Sequence, residues 1–135
     1  MNDERKLPLR FFSGNKGTDT IAACRKSGAL LLRHYQTQKL IAAICAGPIA
    51  LSAHLHDADQ NVRQHEITCY PEVANKLQTK FQSIRFDTPV VESDVKNHRL
   101  ITSQGPATAI EFGLKILARL TDKKKADEIR GKLLA

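Results

Sequence analysis

The stretch LIAAICAGPIALSAHL, residues 40–55, decides the fold because it joins two kinds of apolar pattern at one turn. Residues 40–45 form an unbroken apolar run of strand length. From Pro48 onward the pattern is that of a helix, and proline suits the first helical position. Between the two parts lie Cys45, Ala46 and Gly47. The stretch therefore predicts a buried strand that turns directly into a helix, with a thiol at the turn.

Strand-like and helix-like segments alternate on both sides of this stretch. Upstream, Gly14 and Gly17 mark a tight loop after a short apolar run, and Thr18 or Asp19 is suited to cap the helix that follows. Downstream, two apolar runs bracket the polar segment at residues 94–97, which predicts a β-hairpin. The predicted strands cover residues 7–12, 40–45, 65–70, 88–93 and 99–104, and the predicted helices cover residues 18–35, 48–55, 71–81, 106–120 and 123–134.

This order predicts an α/β fold, doubly wound, in which helices cover both faces of a mostly parallel sheet. The 135 residues contain no linker or repeat that would divide them, so we expect one domain over residues 1–135, with residues 1–6 disordered. Sites in such folds lie beyond the carboxyl ends of the strands. Gly14, Cys45, Tyr70 and Gln104 are all expected there.

Composition narrows the classes of function. The net charge is +7, but the only basic run, residues 122–132, contains three acidic residues and has no aromatic neighbour that could stack on a base. We therefore expect no dedicated nucleic-acid site. No apolar stretch is long enough to span a bilayer, and the first residues lack the features of a secretory signal. A cytoplasmic protein without a membrane contact is the resulting expectation.

Cysteine and histidine spacing argues against metal binding. Cys24, Cys45 and Cys69 form an odd set without CxxC spacing, which indicates neither a disulfide framework nor a zinc cluster. The histidines His54, His56 and His65 have no cysteine or carboxylate partner at ligand spacing. We expect no metal, and each cysteine has to be interpreted separately. Cys24 fits helix packing.

Cys45 has the surroundings of a nucleophile elbow. Ala43 and Gly47 occupy the small flanking positions that such a sharp strand-to-helix turn requires, and Cys45 stands where the nucleophile would be. The first amides of the following helix would face the sulfur and favour its thiolate form. The alternative is that Cys45 is a small buried residue of a core strand.

Three motifs make the chain resemble a known family. LIAAICAGPIAL at residues 40–51, TCYPEVANKL at 68–77 and RLITSQGPATAIEFGLKILARL at 99–120 are similar, in order and spacing, to motifs of the ThiJ/PfpI superfamily, and most of all to its Parkinsonism-associated protein deglycase branch. LPLRFFSGNKGTDTI at residues 7–21 resembles the family's strand and Gly-Gly loop, with Ser13 in place of the first glycine and Gly14 matching the second. The resemblance extends from about residue 7 to the C-terminus.

The resemblance implies a flavodoxin-like sandwich, usually a homodimer, that performs glyoxalase or deglycase chemistry without a cofactor. Cys45 would attack methylglyoxal or its early adducts on glycated protein, and the amides of Gly14 and Ala46 would stabilise the oxyanion. Tyr70 would donate a hydrogen bond to the substrate or oxyanion, although it also fits a packed residue before Pro71. The family's substrate-binding Gly-Pro pair corresponds to Gly105 and Pro106.

The chain departs from the family pattern at several positions. Ala46, not histidine, follows Cys45, which argues against a Cys-His protease pair. Gln104 replaces a common arginine. The family glutamate that faces the cysteine has no counterpart, so we expect the first strand-helix-strand unit to be missing. The alternatives to an enzyme are then a redox sensor or chaperone-like protein, or an inactive truncated paralogue. Cys69 fits a half-buried strand cysteine or a secondary oxidation site.

Overall fold

The structure is a computed structural model that describes residues 9–12 and 25–135, with side chains described from residue 28 onward. Several predictions lie outside these residues. They are the disorder of residues 1–6, the loop of Gly14 and Gly17, the cap at Thr18 or Asp19, and the packing of Cys24.

The centre of the fold is a four-stranded sheet in the order β1-β2-β6-β5. Strands β1, β2 and β6 are parallel to one another, and β5 pairs antiparallel with β6 at the edge. Two further short strands, β3 and β4, pair in parallel in a separate small sheet. The strands are β1 (Leu9–Phe12), β2 (Leu40–Ile44), β3 (Glu66–Ile67), β4 (Ser83–Ile84), β5 (Val90–Val95) and β6 (His98–Ser103).

Within the described residues four α-helices are found, namely α1 (Arg25–Gln36), α2 (Pro48–Leu55), α3 (Ala109–Leu120) and α4 (Lys123–Leu133); the first three pack against the sheet, and α4 packs against α3. All five residues of β2 are buried, as expected for a strand covered on both faces. Ile41 and Ala43 belong to one apolar cluster, with residues of α1 and α2, whereas Leu40, Ala42 and Ile44 belong to a second cluster with Phe112 of α3. This arrangement confirms the predicted α/β class.

The hairpin predicted near residues 94–97 is present. Strands β5 and β6 are joined by the two residues Lys96 and Asn97, whose φ angles of 46° and 69° are both positive. Two positive φ angles define the type I′ turn, whose twist matches that of the flanking strands. Asparagine tolerates this conformation well, so the turn residues themselves determine where the hairpin reverses.

The prediction of a helix over residues 71–81 is wrong. A 3₁₀ helix, Pro71–Lys76, is found instead, with amide-to-carbonyl bonds from Val73 to Tyr70 and from Leu77 to Ala74. Val73 and Ala74 are only partly buried against the first apolar cluster, and after Leu77 the chain continues in a hydrogen-bonded turn, with the Lys80 amide donating to the Leu77 carbonyl, so no α-helix is propagated over residues 71–81. The strand predicted over residues 65–70 is reduced to β3, and β4 was not predicted.

Candidate active site

Cys45 lies in a strained turn between β2 and α2. Its φ angle of 63° is in the left-handed region, which is unfavourable for any residue with a side chain. The turn is held by three hydrogen bonds: the Cys45 amide donates to the Ser103 carbonyl at 2.9 Å, the Gly47 amide donates to the Ile44 carbonyl at 2.9 Å, and the Tyr70 amide donates to the Cys45 carbonyl at 3.0 Å. The surrounding strands thus impose the conformation that a nucleophile elbow requires.

The amide of Ala46 is the donor next to this thiol. Among the described residues, no backbone carbonyl accepts from it, while the amides of Ile49 and Ala50 donate to the carbonyls of Ala46 and Gly47. Pro48 at the start of α2 has no N–H of its own. An anion beside Cys45 would therefore meet an amide that no described carbonyl engages and the positive end of the α2 dipole. Gly14, the second oxyanion donor expected from the sequence, lies outside the described residues.

Tyr70 and Gly105 meet beside the same turn. The Tyr70 side chain is 40% exposed, and its Cδ2 atom would lie 3.5 Å from a Cβ built on Gly105. Gly105 is buried and Pro106 is exposed. Since β2 and β6 are parallel, Cys45 and the residues after Ser103 leave the sheet at the same edge. The structure thus brings Cys45, Ala46, Tyr70 and the start of the Gly105-Pro106 pair into one neighbourhood.

Two hydroxyl groups that the sequence analysis missed hold the Gly105 segment. The Thr108 Oγ1 atom lies 3.1 Å from the Gly105 nitrogen and 2.8 Å from the Gly105 oxygen. It also lies 2.5 Å from Ser103 Oγ, which in turn is 2.9 Å from the Pro89 carbonyl oxygen. In a capping box the side chain at the third helical position reaches back to the N-cap amide; here threonine takes the place of the usual Glu or Gln and glycine that of the usual Ser or Thr, so the sequence pattern did not indicate the cap.

Gln104, noted in the sequence as a lost positive charge, has a structural role. Its Nε2 atom donates to the Thr88 carbonyl at 3.0 Å and lies 3.4 Å from the Phe86 carbonyl. These contacts attach the segment after β6 to the segment before β5. The amide side chain therefore fixes one wall of the neighbourhood of Gly105, without adding charge to it.

Cys69 has an environment opposite to that of Cys45. It is fully buried, whereas Cys45 is half-buried and packs against the apolar cluster of α3. Burial, and to a lesser extent the nearby Cys45 thiol, raises the pKa of Cys69 to about 11. Cys69 is consequently a thiol at neutral pH, and it lies just after β3 where the sequence analysis expected a half-buried strand residue.

No acidic partner of Cys45 is found in the described part of the chain. No hydrogen bond in residues 28–135 joins its sulfur to a carboxylate or an imidazole. No group of three or more His, Cys, Asp or Glu side chains in the described residues could hold a metal ion. The helices described are also too short or too polar to cross a membrane.

A buried polar cluster lies at the other end of β6, where the strand begins. The Tyr35 hydroxyl is 3.0 Å from Nε2 of His65, and Nδ1 of His65 is 2.8 Å from the Ser93 hydroxyl. His98 stacks on the Tyr35 ring with centroids 4.2 Å apart and donates from Nδ1 to the Tyr35 carbonyl at 2.9 Å. Its Nε2 atom is 3.9 Å from Asp59. This cluster binds α1, β5 and β6 together away from Cys45.

Comparison with known proteins gives these residues a family context. The sequence profile of the DJ-1/PfpI family matches residues 12–119. The chain is 37% identical over 116 residues to the glutathione-independent glyoxalase DJR-1.2 of Caenorhabditis elegans, covering 86% of this chain and 56% of that protein. It is 34% identical over 121 residues to the protein dj-1beta of Drosophila melanogaster, covering 90% and 59%. The chain thus spans a little over half the length of these curated relatives.

Solved structures agree with this comparison. The crystal structure of Drosophila melanogaster DJ-1beta superposes with a TM-score of 0.82 at 33% identity, over 96% of this chain and 65% of that chain. Oxidized DJ-1 of Toxoplasma gondii superposes with a TM-score of 0.77 at 28% identity, over 97% and 66%. The flavodoxin-like arrangement expected from the sequence resemblance is therefore confirmed.

Proposed function

The chain belongs to the DJ-1/PfpI family, and on this basis we propose that it is a cysteine-dependent glyoxalase or protein deglycase that needs no cofactor. The observation that carries the proposal is the conformation of Cys45: a half-buried thiol held at a positive φ angle, at the start of a helix, beside an amide that donates to no backbone carbonyl of the described residues. The name of the C. elegans relative, a glyoxalase independent of glutathione, supports a protein thiol in the role that glutathione would otherwise have.

The proposed reaction begins with attack of the Cys45 sulfur on the aldehyde carbon of methylglyoxal. The carbonyl oxygen then becomes an alkoxide, which the Ala46 amide is placed to stabilise, and protonation gives a hemithioacetal. Oriented amides of this kind contribute about 3–4 kcal/mol in enzymes where they have been removed. Gly14 would supply a second amide.

Conversion of the hemithioacetal requires a proton to move between neighbouring carbons. Removal of the proton from the former aldehyde carbon and its return to the former ketone carbon give a thioester of the hydroxy acid, which water hydrolyses to free Cys45. The Tyr70 hydroxyl is our candidate for the hydrogen bond to the ketone oxygen, because its half-exposed ring borders Gly105 next to Cys45. Gly105 and Pro106 would form the adjacent wall against the substrate.

The exposed position of Tyr70 bears on the substrate. A site bordered by a side chain that is 40% exposed is open to solvent on that side, so early adducts of methylglyoxal on protein amines or thiols can approach as well as the free dicarbonyl. We accordingly include glycated protein among the substrates. We also propose that residues 1–135 act as one domain, that the protein forms homodimers and that it is cytoplasmic.

A second candidate function is a non-enzymatic redox sensor or chaperone-like protein. It is favoured by the absence, in the described residues, of a carboxylate bonded to Cys45, and by several large apolar side chains that are exposed. These side chains are Phe86, Ile110, Leu120, Leu133 and Leu134. The third hypothesis is an inactive truncated paralogue, which is also supported by the absence, in the described residues, of a carboxylate bonded to Cys45.

Loss of methylglyoxal and formation of the hydroxy acid, followed with the purified reduced protein, test the enzyme. We expect turnover in the wild type and in Cys69→Ala, and none above background in Cys45→Ala. The matched pair separates loss of the reactive thiol from loss of any thiol. Equal rates for wild type and Cys45→Ala would refute the proposed enzyme and favour the sensor.

A second assay separates the two substrate classes. The same proteins are incubated with a freshly prepared hemithioacetal or aminocarbinol of methylglyoxal on N-acetylcysteine or N-acetyllysine. A rate above that set by spontaneous release of methylglyoxal indicates a deglycase, and a rate equal to it indicates a glyoxalase that acts on the free dicarbonyl.

A further inference from the structure

Cys45 and Cys69 are held next to each other by the backbone. The amide that follows Cys69, that of Tyr70, donates to the Cys45 carbonyl at 3.0 Å. The path between the two Cα atoms runs through the Cys45 carbonyl group, this hydrogen bond, and the peptide bond from the Tyr70 nitrogen back to Cys69. Standard peptide dimensions then place the Cα atoms about 5–6 Å apart. This estimate falls within the usual disulfide range of about 4.4–6.8 Å.

The two thiols differ in access to solvent. Cys45 is half-buried at the open edge of the sheet, whereas Cys69 has no exposed surface. A hydroperoxide therefore reaches Cys45 and not Cys69. One thiol is thus placed to be oxidised first, and the other is placed beside it within the protein.

We propose that Cys69 is the resolving thiol of Cys45, so that oxidation by a hydroperoxide ends in an intramolecular Cys45–Cys69 disulfide. In the first step the Cys45 thiolate bonds to the terminal oxygen of the hydroperoxide and the O–O bond breaks. The rest of the hydroperoxide leaves as an alcohol or, from hydrogen peroxide, as water, and Cys45 becomes a sulfenic acid. In the second step the Cys69 sulfur bonds to the Cys45 sulfur, the S–O bond breaks, and the hydroxide leaves as water with the Cys69 proton. Two electrons are transferred overall, all to the hydroperoxide.

Closing the bond requires a local change of conformation. Cys69 belongs to the apolar cluster beneath α1 and α2, whereas Cys45 packs against the cluster beneath α3, on the other face of the sheet. The Cys45 side chain must rotate from one face of the sheet to the other at the carboxyl end of β2, where the turn already has a strained φ angle. Residues 68–70 follow β3 without belonging to a strand, but the Thr68 amide donates to Thr102 Oγ1 at 2.8 Å and the Tyr70 amide to the Cys45 carbonyl at 3.0 Å, so closing the bond has to stretch these contacts.

This conformational change gives the disulfide a consequence for the site. Cys69 directly precedes Tyr70, whose ring lies against Gly105, so movement of Cys69 toward Cys45 also moves Tyr70. The bond occupies the Cys45 sulfur and blocks a second oxidation to sulfinic acid, which thiols do not reverse. The pair would act as a reversible off-switch. This inference rests on the reactivity proposed for Cys45, and not on turnover of a dicarbonyl.

Peptide mapping of the wild-type protein under non-reducing conditions tests the inference directly. The reduced protein is treated with one equivalent of hydrogen peroxide, free thiols are alkylated, and the digest is analysed by mass spectrometry. We expect a cross-linked peptide that joins Cys45 to Cys69 and disappears with dithiothreitol. A Cys24→Ser variant should give the same cross-link, since Cys24 has no part in it.

The Cys69→Ala variant provides the complementary measurement. Without the resolving thiol, Cys45 should pass to sulfinic acid, with a several-fold rise in the fraction that gains two oxygen atoms. Cys69→Ser is a second variant of similar size in case the first is unstable. Formation of sulfinic acid in the wild type at the rate seen in the Cys69 variants, with no cross-link, would overturn the inference.

Activity separates this inference from the proposed function. If the reduced protein consumes methylglyoxal but no cross-link forms, the enzyme stands and the switch fails. If the cross-link forms in a protein that does not turn over methylglyoxal, the switch stands and the proposed enzyme fails. If both hold, peroxide should abolish turnover and dithiothreitol should restore it in the wild type, whereas the Cys69→Ala protein should not recover.

Discussion

The hydroxyl of Tyr35 lies 3.0 Å from Nε2 of His65, and both side chains are almost completely shielded from solvent. The simplest assignment that satisfies both is donation from Tyr35 to Nε2 and from the protonated Nδ1 of His65 to Ser93 Oγ at 2.8 Å. The histidine is then neutral. A second proton would have to go to Nε2, where it would meet the hydrogen of the tyrosine.

Acid should destabilise the protein through His65. Burial first, and then the neighbouring His98, lowers the pKa of His65 from its ordinary 6.5 to about 4, against the opposing influence of Asp94, Ser93 and Asp59. Well above pH 6.5 His65 is unprotonated in both the folded and the unfolded state, so its contribution to stability is complete. As pH falls from 6.5 to 4, only the unfolded state gains the proton, and about 3 kcal/mol of unfolding free energy should be lost.

Urea unfolding at several pH values measures this loss, and a His65→Gln variant supplies the control. Glutamine keeps a polar side chain at the site but does not titrate, so its stability should decline less between pH 6.5 and 4 than that of the wild type. Parallel curves for the two proteins would mean that other groups carry the acid sensitivity.

Substitution of Gly28 by alanine should destabilise the contact between α1 and α2. A Cβ on Gly28 would lie 2.6 Å from Cε1 and 2.9 Å from Cγ of His54, closer than side-chain atoms approach. Overpacking of this kind costs about 1–3 kcal/mol, more than the roughly 1 kcal/mol that alanine gains over glycine in a helix. We expect a net loss of stability in urea unfolding.

Two controls identify the cause as His54. A Cβ at Gly131 of α4 meets nothing within 4 Å, so Gly131→Ala should stabilise the protein by up to about 1 kcal/mol. In a His54→Ala background, Gly28→Ala should likewise become stabilising. A destabilising effect that persists without the imidazole would contradict this explanation.

The sequence predicted those parts of the molecule that depend on local pattern. The apolar run of β2, the proline at the start of α2 and the hairpin turn at Lys96 and Asn97 each have a short-range cause. The end of a buried strand also predicts where a site residue leaves the sheet, which is how Cys45 could be placed at the edge.

The contacts that sequence reasoning missed join residues far apart in the chain. Tyr35 bonds to a side chain 30 positions away, and its carbonyl accepts from His98, 63 positions away. The hydrophobic periodicity of the sequence does not predict such a pairing, because a histidine in the sequence alone cannot be distinguished from other polar residues. The helix predicted over residues 71–81 failed for a related reason, since its packing partners could not be known from its own apolar residues.

Removal of the Thr108 hydroxyl should impair the proposed activity by loosening Gly105. In Thr108→Val the buried Gly105 amide, 3.1 Å from Oγ1 in the wild type, loses its acceptor. An unsatisfied group of this kind costs about 1–3 kcal/mol, and if half of that cost falls on the transition state, kcat/KM for methylglyoxal should drop by about two- to tenfold. Thr108→Ser keeps the hydroxyl and should restore activity. Equal impairment in both variants would point to lost methyl packing.

The left-handed backbone of Cys45 leads to a prediction about stability. At a φ angle of 63° a residue with a Cβ carries a strain of about 1–2 kcal/mol, which glycine does not. Glycine also has more freedom to lose on folding, about 0.5–1 kcal/mol relative to alanine. The strain exceeds this entropy term, so Cys45→Gly should be about 1 kcal/mol more stable than Cys45→Ala in urea unfolding.

The same comparison in a right-handed helix should have the opposite sign. Ala53 is an exposed position within α2, and Ala53→Gly should lose about 1 kcal/mol because glycine is the poorer helix former. We would measure the stability of Cys45→Gly against Cys45→Ala, and that of Ala53→Gly against the wild type. Both comparisons replace alanine by glycine, and neither residue carries a reactive group, so the difference between them reports the effect of backbone conformation. If glycine is the less stable residue at position 45 as well, the turn relaxes once the thiol is removed, and the strain belongs to the cysteine side chain and not to the strands that flank it.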